Sequence, residues 1–442
     1  MKKFNLILVL LFLCIGKLQA QDTLLLDFDE AVEYALKANL DFQILNNNQE
    51  VLEHERKAAL FARFPSANIN SNFARQNGQQ FQQVEGEIVV TNVTNEIISG
   101  GLSVNVPVFN SGRRILESQA AKMALEAGEN GLKRARQQVV FDVAQRYLQV
   151  LLDQELVRIS RENLDNQKQQ LLQIEGFVDA GIRTISDLYN QQSEVARLES
   201  VLVDARITLE NDLWSLTEYL QLETGIVPRL QPVTVEGLDG FTFADDSLST
   251  LVNLAMENRI DRSQQELLVT AAKKSIQASK AMYYPRLNAF FNYNTFFTSL
   301  DSRSPSEQLL RIYPQNTIGI NLAIPIFNNW QTKLAVVRAR VNYQNETLRE
   351  EALDRRIFQD VKLAHQNYQA ALEKFHNAEV QVNAADEAYT AVSERFRLGL
   401  SNFVDLATAN QQLVAAQSDQ AQAVFSLYFQ ETLMRFALGI IE

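Results

Sequence analysis

Past its first twenty residues this 442-residue chain has no cysteine, and nowhere beyond them a long hydrophobic run; it is also short of positive charge, with 41 Lys and Arg against 53 Asp and Glu. Each shortage excludes something. The single cysteine, Cys14, lies in an apolar run from Leu6 to Ile15 that follows Lys2 and Lys3 and precedes Lys17-Leu18-Gln19-Ala20. That pattern is a secretory leader cleaved after Ala20, too short to span a bilayer. Small residues of a lipoprotein site do not precede Cys14, so the mature chain is expected to have no thiol, disulfide or lipid anchor. Losing three lysines and no acid takes the net charge from -12 to -15. An acidic exported chain is a poor binder of nucleic acid. No later segment reaches the ~18 apolar residues of a membrane helix, so any bilayer crossing has to be made by a β-barrel. The three histidines, His54, His365 and His376, have no ligand spacing and no cysteine company, so no metal site or cofactor is expected. No nucleophile elbow, phosphate loop or paired-carboxylate context points to an enzyme.

What is there is a pattern written twice. Phe64-Pro65 returns as Tyr284-Pro285, Gly101 to Asn110 returns as Gly319 to Asn328, and Gly181 with Asp187-Leu188 returns as Gly399 with Asp405-Leu406. The offsets barely drift, which points to duplication of a whole helix–hairpin–helix–helix unit. The first unit is expected over 21–224 and the second over 248–442, with a Pro-, Gly- and Asp-bearing linker at 225–247. Residues 29–62 read as one helix. Strict alternation then predicts strands at 66–76 and 97–108, with Asn68, Asn70 and Asn72 facing away from Ala67, Ile69 and Phe73, and a polar loop from Gln76 to Asn95 between them. The second hairpin is expected at 286–297 and 316–326, although Phe290 and Phe296 break its alternation.

Long helices are expected at 111–176, 184–224, 329–397 and 402–438. Their apolar residues keep a beat of seven: Val143, Val150, Val157, Leu164, Leu171 and Val178 are answered by Val361, Tyr368, Phe375, Val382, Tyr389 and Phe396. Such a beat implies helices supercoiling side by side. Gln420 interrupts it, either as a buried amide that sets register or as a surface turn. Four strands cannot close a barrel, and an open apolar sheet invites aggregation, so copies of the chain must complete it. Two copies give eight strands, which side chains would fill; three give twelve around a polar lumen, the better geometric fit.

The chain resembles the TolC-like outer-membrane efflux family over nearly its whole mature length. The residues that carry the resemblance are Phe28-Asp29-Glu30-Ala31-Val32, Ala35 to Asn39, Asn258-Arg259-Ile260-Asp261, Tyr284-Pro285-Arg286-Leu287, Val106-Pro107-Val108-Phe109 and Ile324-Pro325-Ile326-Phe327. Leu40 and Ile260 stand where the family usually has proline. The resemblance implies a homotrimer whose twelve-stranded barrel sits in outer-membrane lipid. A helical tunnel would cross the periplasm to a periplasmic adaptor and a proton- or ATP-driven inner-membrane pump, and conduct their cargo passively. A periplasmic or cell-surface coiled-coil scaffold is the competing reading.

Three residue sets follow. Gly181 and Gly399 end long helices, where glycine is a natural cap; the resemblance also makes them adaptor-facing tips. Asp187 and Asp405 have capping-box spacing from Thr184 and Asn402. In three chains they would also ring a narrow axis, as a gate paired with Arg183; the resemblance supplies this role for Asp405, with Thr408 in place of a second acid. Phe109, Phe327 and Trp330, at the strand-to-helix junctions, read as either membrane-interface aromatics or core packing.

Overall fold

The computed structural model describes residues 23–84, 87–222, 227–231, 243 and 246–441. The leader with Cys14, and most of the expected linker, lie outside the described residues. Elements follow in one order twice: α1 (Phe28–Ala38), α2 (Leu40–Phe61), β2 (Ser66–Val84), β3 (Glu87–Phe109), α3 (Arg113–Asp179) and α4 (Ile185–Tyr219), then α5 (Leu248–Asn258), α6 (Ile260–Lys280), β5 (Arg286–Thr298), β6 (Gln315–Ala323), α7 (Gln331–Arg397) and α8 (Phe403–Leu438). Two short strands, β1 (Thr23–Leu26) and β4 (Val227–Leu230), pair in parallel. The chain divides into two compact units, one comprising Asn48–Asn130 with Ser263–Ala352 and the other the remainder.

The unit made of Asn48–Asn130 and Ser263–Ala352 holds one antiparallel sheet of order β2-β3-β5-β6. Its register aligns Ala67, Val104, Phe291 and Ile318 across all four strands, beside the row Ile69, Leu102 and Tyr293. On the opposite face Asn68, Ser103, Asn292 and Thr317 align. Period-two alternation thus becomes one apolar and one amide-rich face. Among the described residues nothing covers the apolar face: Ile69 is 82% exposed, Ile318 81% and Ile320 72%. Phe290, which breaks the alternation, lies on the amide face opposite Gly319, where a side chain in place of hydrogen would run into its ring.

The polar loop expected from Gln76 to Asn95 is instead strand. β2 and β3 stay paired from Ser66↔Asn105 to Val84↔Glu87. Backbone pairing needs no apolar alternation, and Ile88-Val89-Val90-Thr91 is β-branched throughout, a composition that favours strand. β6 stops three residues early, at Ala323, because Pro325 has no N–H to pair. Pro107 is accommodated within β3 by a register shift between Pro107 and Phe109.

In the other compact unit the helix expected over 29–62 is broken at Asn39, extended at φ -66°, ψ 111°, whose side chain accepts from Phe42 N at 2.8 Å. Arg259 makes the matching break at φ -66°, ψ 114°. Leu40 and Ile260 therefore start helices, the position proline favours, and the breaks form without it. Arg259 carries a second load: buried, it reaches Asp261 at 2.6 Å and Asp360 at 2.8 Å. The heptad residues Val143, Val150, Val361, Tyr368, Leu427 and Met434 are fully buried. Gln420 is half-buried, so it is neither a core amide nor a fully exposed turn. Tyr147 joins β1 and β4 to this core, its hydroxyl shared between Gln231 O at 2.8 Å and Leu26 O at 3.2 Å.

One buried carboxyl stands apart. Asp153 on α3 is 3% exposed and accepts from Gln149 Nε2 at 3.2 Å, while its Oδ2 has no partner. Burial first, then the facing Asp212, pushes its pKa up to about 7. An unfolded aspartate releases its proton near ~3.9. The stabilisation tied to Asp153 is therefore complete below about pH 4, declines as pH rises, and is gone above about pH 7. Asp153→Asn should raise the unfolding temperature at about pH 8 and change it little at about pH 4; equal shifts at both would contradict the assignment. Arg259→Ala should destabilise the helical unit toward the lower end of the roughly 3–5 kcal/mol of a broken buried pair, Asp360 being half-exposed. Chemical unfolding followed by circular dichroism measures it.

Candidate functional site

The ends of α3 and α7 are built alike. Phe177 O accepts from Ile182 N at 2.8 Å and Val178 O from Gly181 N at 2.9 Å; Arg395 O accepts from Leu400 N at 2.8 Å and Phe396 O from Gly399 N at 3.0 Å. These are Schellman caps, with Gly181 at φ 71° and Gly399 at φ 78° supplying the left-handed residue. Apart from each glycine's chain neighbours, none of the described residues lies within 4 Å of the position a Cβ would take at either glycine.

The returning helices begin with complete capping boxes. Thr184 Oγ1 accepts from Asp187 N at 3.2 Å, and Asp187 Oδ2 accepts from Thr184 N at 3.3 Å. Asn402 Oδ1 accepts from Asp405 N at 2.9 Å, and Asp405 Oδ2 accepts from Asn402 N at 3.4 Å. Both acids are thus employed as caps, while Asp405 stays exposed.

Arg183 turns away from both carboxylates. Its guanidinium crosses from the first tip to the second, donates to Phe396 O and, at 3.5 Å, to Ser401 O, and stacks 3.9 Å from the Phe396 ring centroid. A cation at the carbonyl end of α7 also suits the helix dipole. Beneath it Ile174, Phe396 and Leu406 form a buried cluster with Val178, Leu188, Tyr389 and Phe403 around them. The two tips of one chain are therefore tied by Arg183 and its aromatic seat. Sequence spacing did not suggest Phe396 as its partner, because an arginine and a heptad aromatic 213 residues apart carry no local signal.

The junction aromatics are exposed: Phe109 by 53%, Phe327 by 74% and Trp330 by 69%. They are not packed in this chain's own core. Asn329 and Trp330 adopt φ 50° and 62°, where the first half has Ser111 and Gly112 at 54° and 77°. A bulky residue in the left-handed region costs roughly 1–2 kcal/mol, so Trp330 holds a place that glycine fills more easily. Among the described residues no cluster of three or more His, Cys, Asp or Glu could hold a metal.

Arg183→Ala should free the second tip. Backbone hydrogen exchange at residues 396–402 should rise roughly tenfold or more, the ~1.5–3 kcal/mol of a charge-assisted hydrogen bond. Unchanged exchange would mean that the caps alone hold the tip.

Comparison with known proteins puts this architecture in context. The outer membrane efflux protein family model matches residues 31–220 and 251–439. Outer membrane protein TolC of Vibrio cholerae is 23% identical over 351 residues, covering 78% of each chain. The pyoverdine export outer membrane protein OpmQ of Pseudomonas aeruginosa is 26% identical over 334 residues, 73% of this chain and 66% of OpmQ. The crystal structure of CusC superposes with a TM-score of 0.78 at 18% identity, over 96% of this chain and 95% of that one. The chain belongs to the outer membrane efflux protein family, whose members are passive channels and not enzymes.

Proposed function

We propose that three copies of this chain form the exit duct of a tripartite efflux or type I secretion system in a Gram-negative outer membrane. The observation that carries this is the uncovered apolar face of a sheet with two free edges. Three sheets joined edge to edge give twelve strands and leave no edge open. The faces bearing Ile69, Val104, Phe291 and Ile318 then meet lipid, and the asparagine faces line the lumen. The nine residues of β6 match the 9–11 a tilted membrane strand needs. Phe109 ends β3, and Phe327 and Trp330 follow the end of β6, at the level of an aromatic belt.

Each chain is a duplicated unit that follows a cleaved, unlipidated leader ending at Ala20. At ~1.5 Å per residue, the 67 residues of α3 extend about 100 Å, a periplasmic reach. The tips at Gly181 and Gly399 receive a periplasmic adaptor, which recruits a proton- or ATP-driven inner-membrane pump. Asp187 and Asp405 cap their helices and, gathered three-fold, ring the closed end with carboxylates. Arg183 fastens each chain's two tips together, so opening proceeds by moving paired tips as one body.

The test is single-channel recording of the detergent-purified mature protein in planar bilayers. Small cation-preferring openings are expected, with Asp405→Asn raising open probability. Unchanged openings in that variant would leave Asp405 as a cap only. A protein that stays soluble without detergent and never conducts would restore the scaffold reading.

A further inference from the structure

The segment joining β5 to β6, residues 299–314, is held by its own hydrogen bonds and by bonds to the strands. Gln308 is fully buried within it: its Nε2 donates to Asp301 O at 3.1 Å and Arg303 O at 2.7 Å, and its Oε1 accepts from Thr298 N at 3.0 Å. Thr295 Oγ1 donates to Leu309 O at 2.7 Å. Ser299 is bound reciprocally to β3, donating to Glu96 O at 2.9 Å and accepting from Glu96 N at 2.8 Å. With its inner polar groups satisfied, this is a preformed structure rather than a floppy lid.

Its direction follows from the strand register. Phe296 shares parity with Asn292 and Asn294, hence the amide-bearing face. Tyr313 stacks on Phe296 with centroids 4.1 Å apart and planes 21° from parallel. The Tyr313 hydroxyl donates to Asp301 Oδ2 at 2.7 Å, and Arg303 Nε reaches Asp301 Oδ1 at 2.9 Å. The Arg303 guanidinium stands 5.9 Å from the Tyr313 ring and keeps 46% of its side chain exposed. Both charges persist at neutral pH, since Arg303 and Tyr313 hold the Asp301 carboxyl below its usual range. The segment lies at the strand ends remote from the helix junctions.

We infer that the Asp301–Arg303–Tyr313 cluster lines the outer mouth of the pore and sets its charge preference there, an inference that rests on the channel reading with the asparagine face inward. As built, each chain presents a neutral ion pair. Removing one partner uncovers three like charges around the mouth, and a ring of one sign biases permeation toward the opposite ion. The geometry also explains the second aromatic that breaks the β5 alternation: Phe296 faces inward to seat Tyr313.

Reversal potential under a potassium chloride gradient tests this in purified channels. Asp301→Asn should shift it toward anion preference and Arg303→Gln toward cation preference. The neutral double variant should return to the parent value, which also controls for folding of the segment. In a conducting channel, any result other than shifts of opposite sign overturns the inference alone. A parent protein that never conducts overturns the channel reading and this inference with it.

Discussion

Unpaired backbone in the edge strands of an apolar sheet is the constraint on which the rest depends. β2 and β6 are the edge strands of this sheet, each with a row of N–H and C=O groups that no strand of the described residues pairs, and the sheet exposes isoleucine, valine and phenylalanine. In water such an edge recruits other strands without limit; in lipid, every unpaired group costs several kcal/mol. In the proposed trimer, closure on further copies of the same chain removes both penalties, and the amide rows on the opposite face wall a wet channel. No helix of the described residues is long and apolar enough to cross a membrane.

The helices solve a different problem. Their heptad residues bury one stripe each and leave most of the remaining surface polar, as side-by-side packing in water demands. Their ends are finished by local chemistry: glycine in the left-handed region, a reciprocal capping box, and Arg183 laid over the carbonyl end of α7. In the proposed gate, the carboxylates that cap the helices are also those that ring the axis. An aspartate fixed by its own capping box is held in one orientation.

Much of this was legible in the residues. Seven-residue spacing located the four long helices to within a few residues, except that α4 ends at Tyr219 rather than 224. Alternation assigned Ile69 and Asn68 to opposite faces. The misreadings have physical causes. Gln76 to Val84 looked like loop because glutamine and asparagine carry little strand signal, yet pairing with Glu87 to Asn95 satisfies their backbone. The breaks at Asn39 and Arg259 were hidden because Leu40 and Ile260 replace the proline that would have announced them. β1 is too short to have a period, and its partner β4 lies about 200 residues away. The partner of Arg183, the buried Asp153 and the folded segment around Gln308 are tertiary facts with no local pattern.

Native mass spectrometry of the detergent-extracted assembly tests the central claim most directly, because edge closure fixes the number of chains. One dominant species of three chains, resistant to dilution, is expected. A monomer, a dimer, or an open ladder of increasing masses would contradict it, since each leaves either a free edge or a lumen filled by side chains.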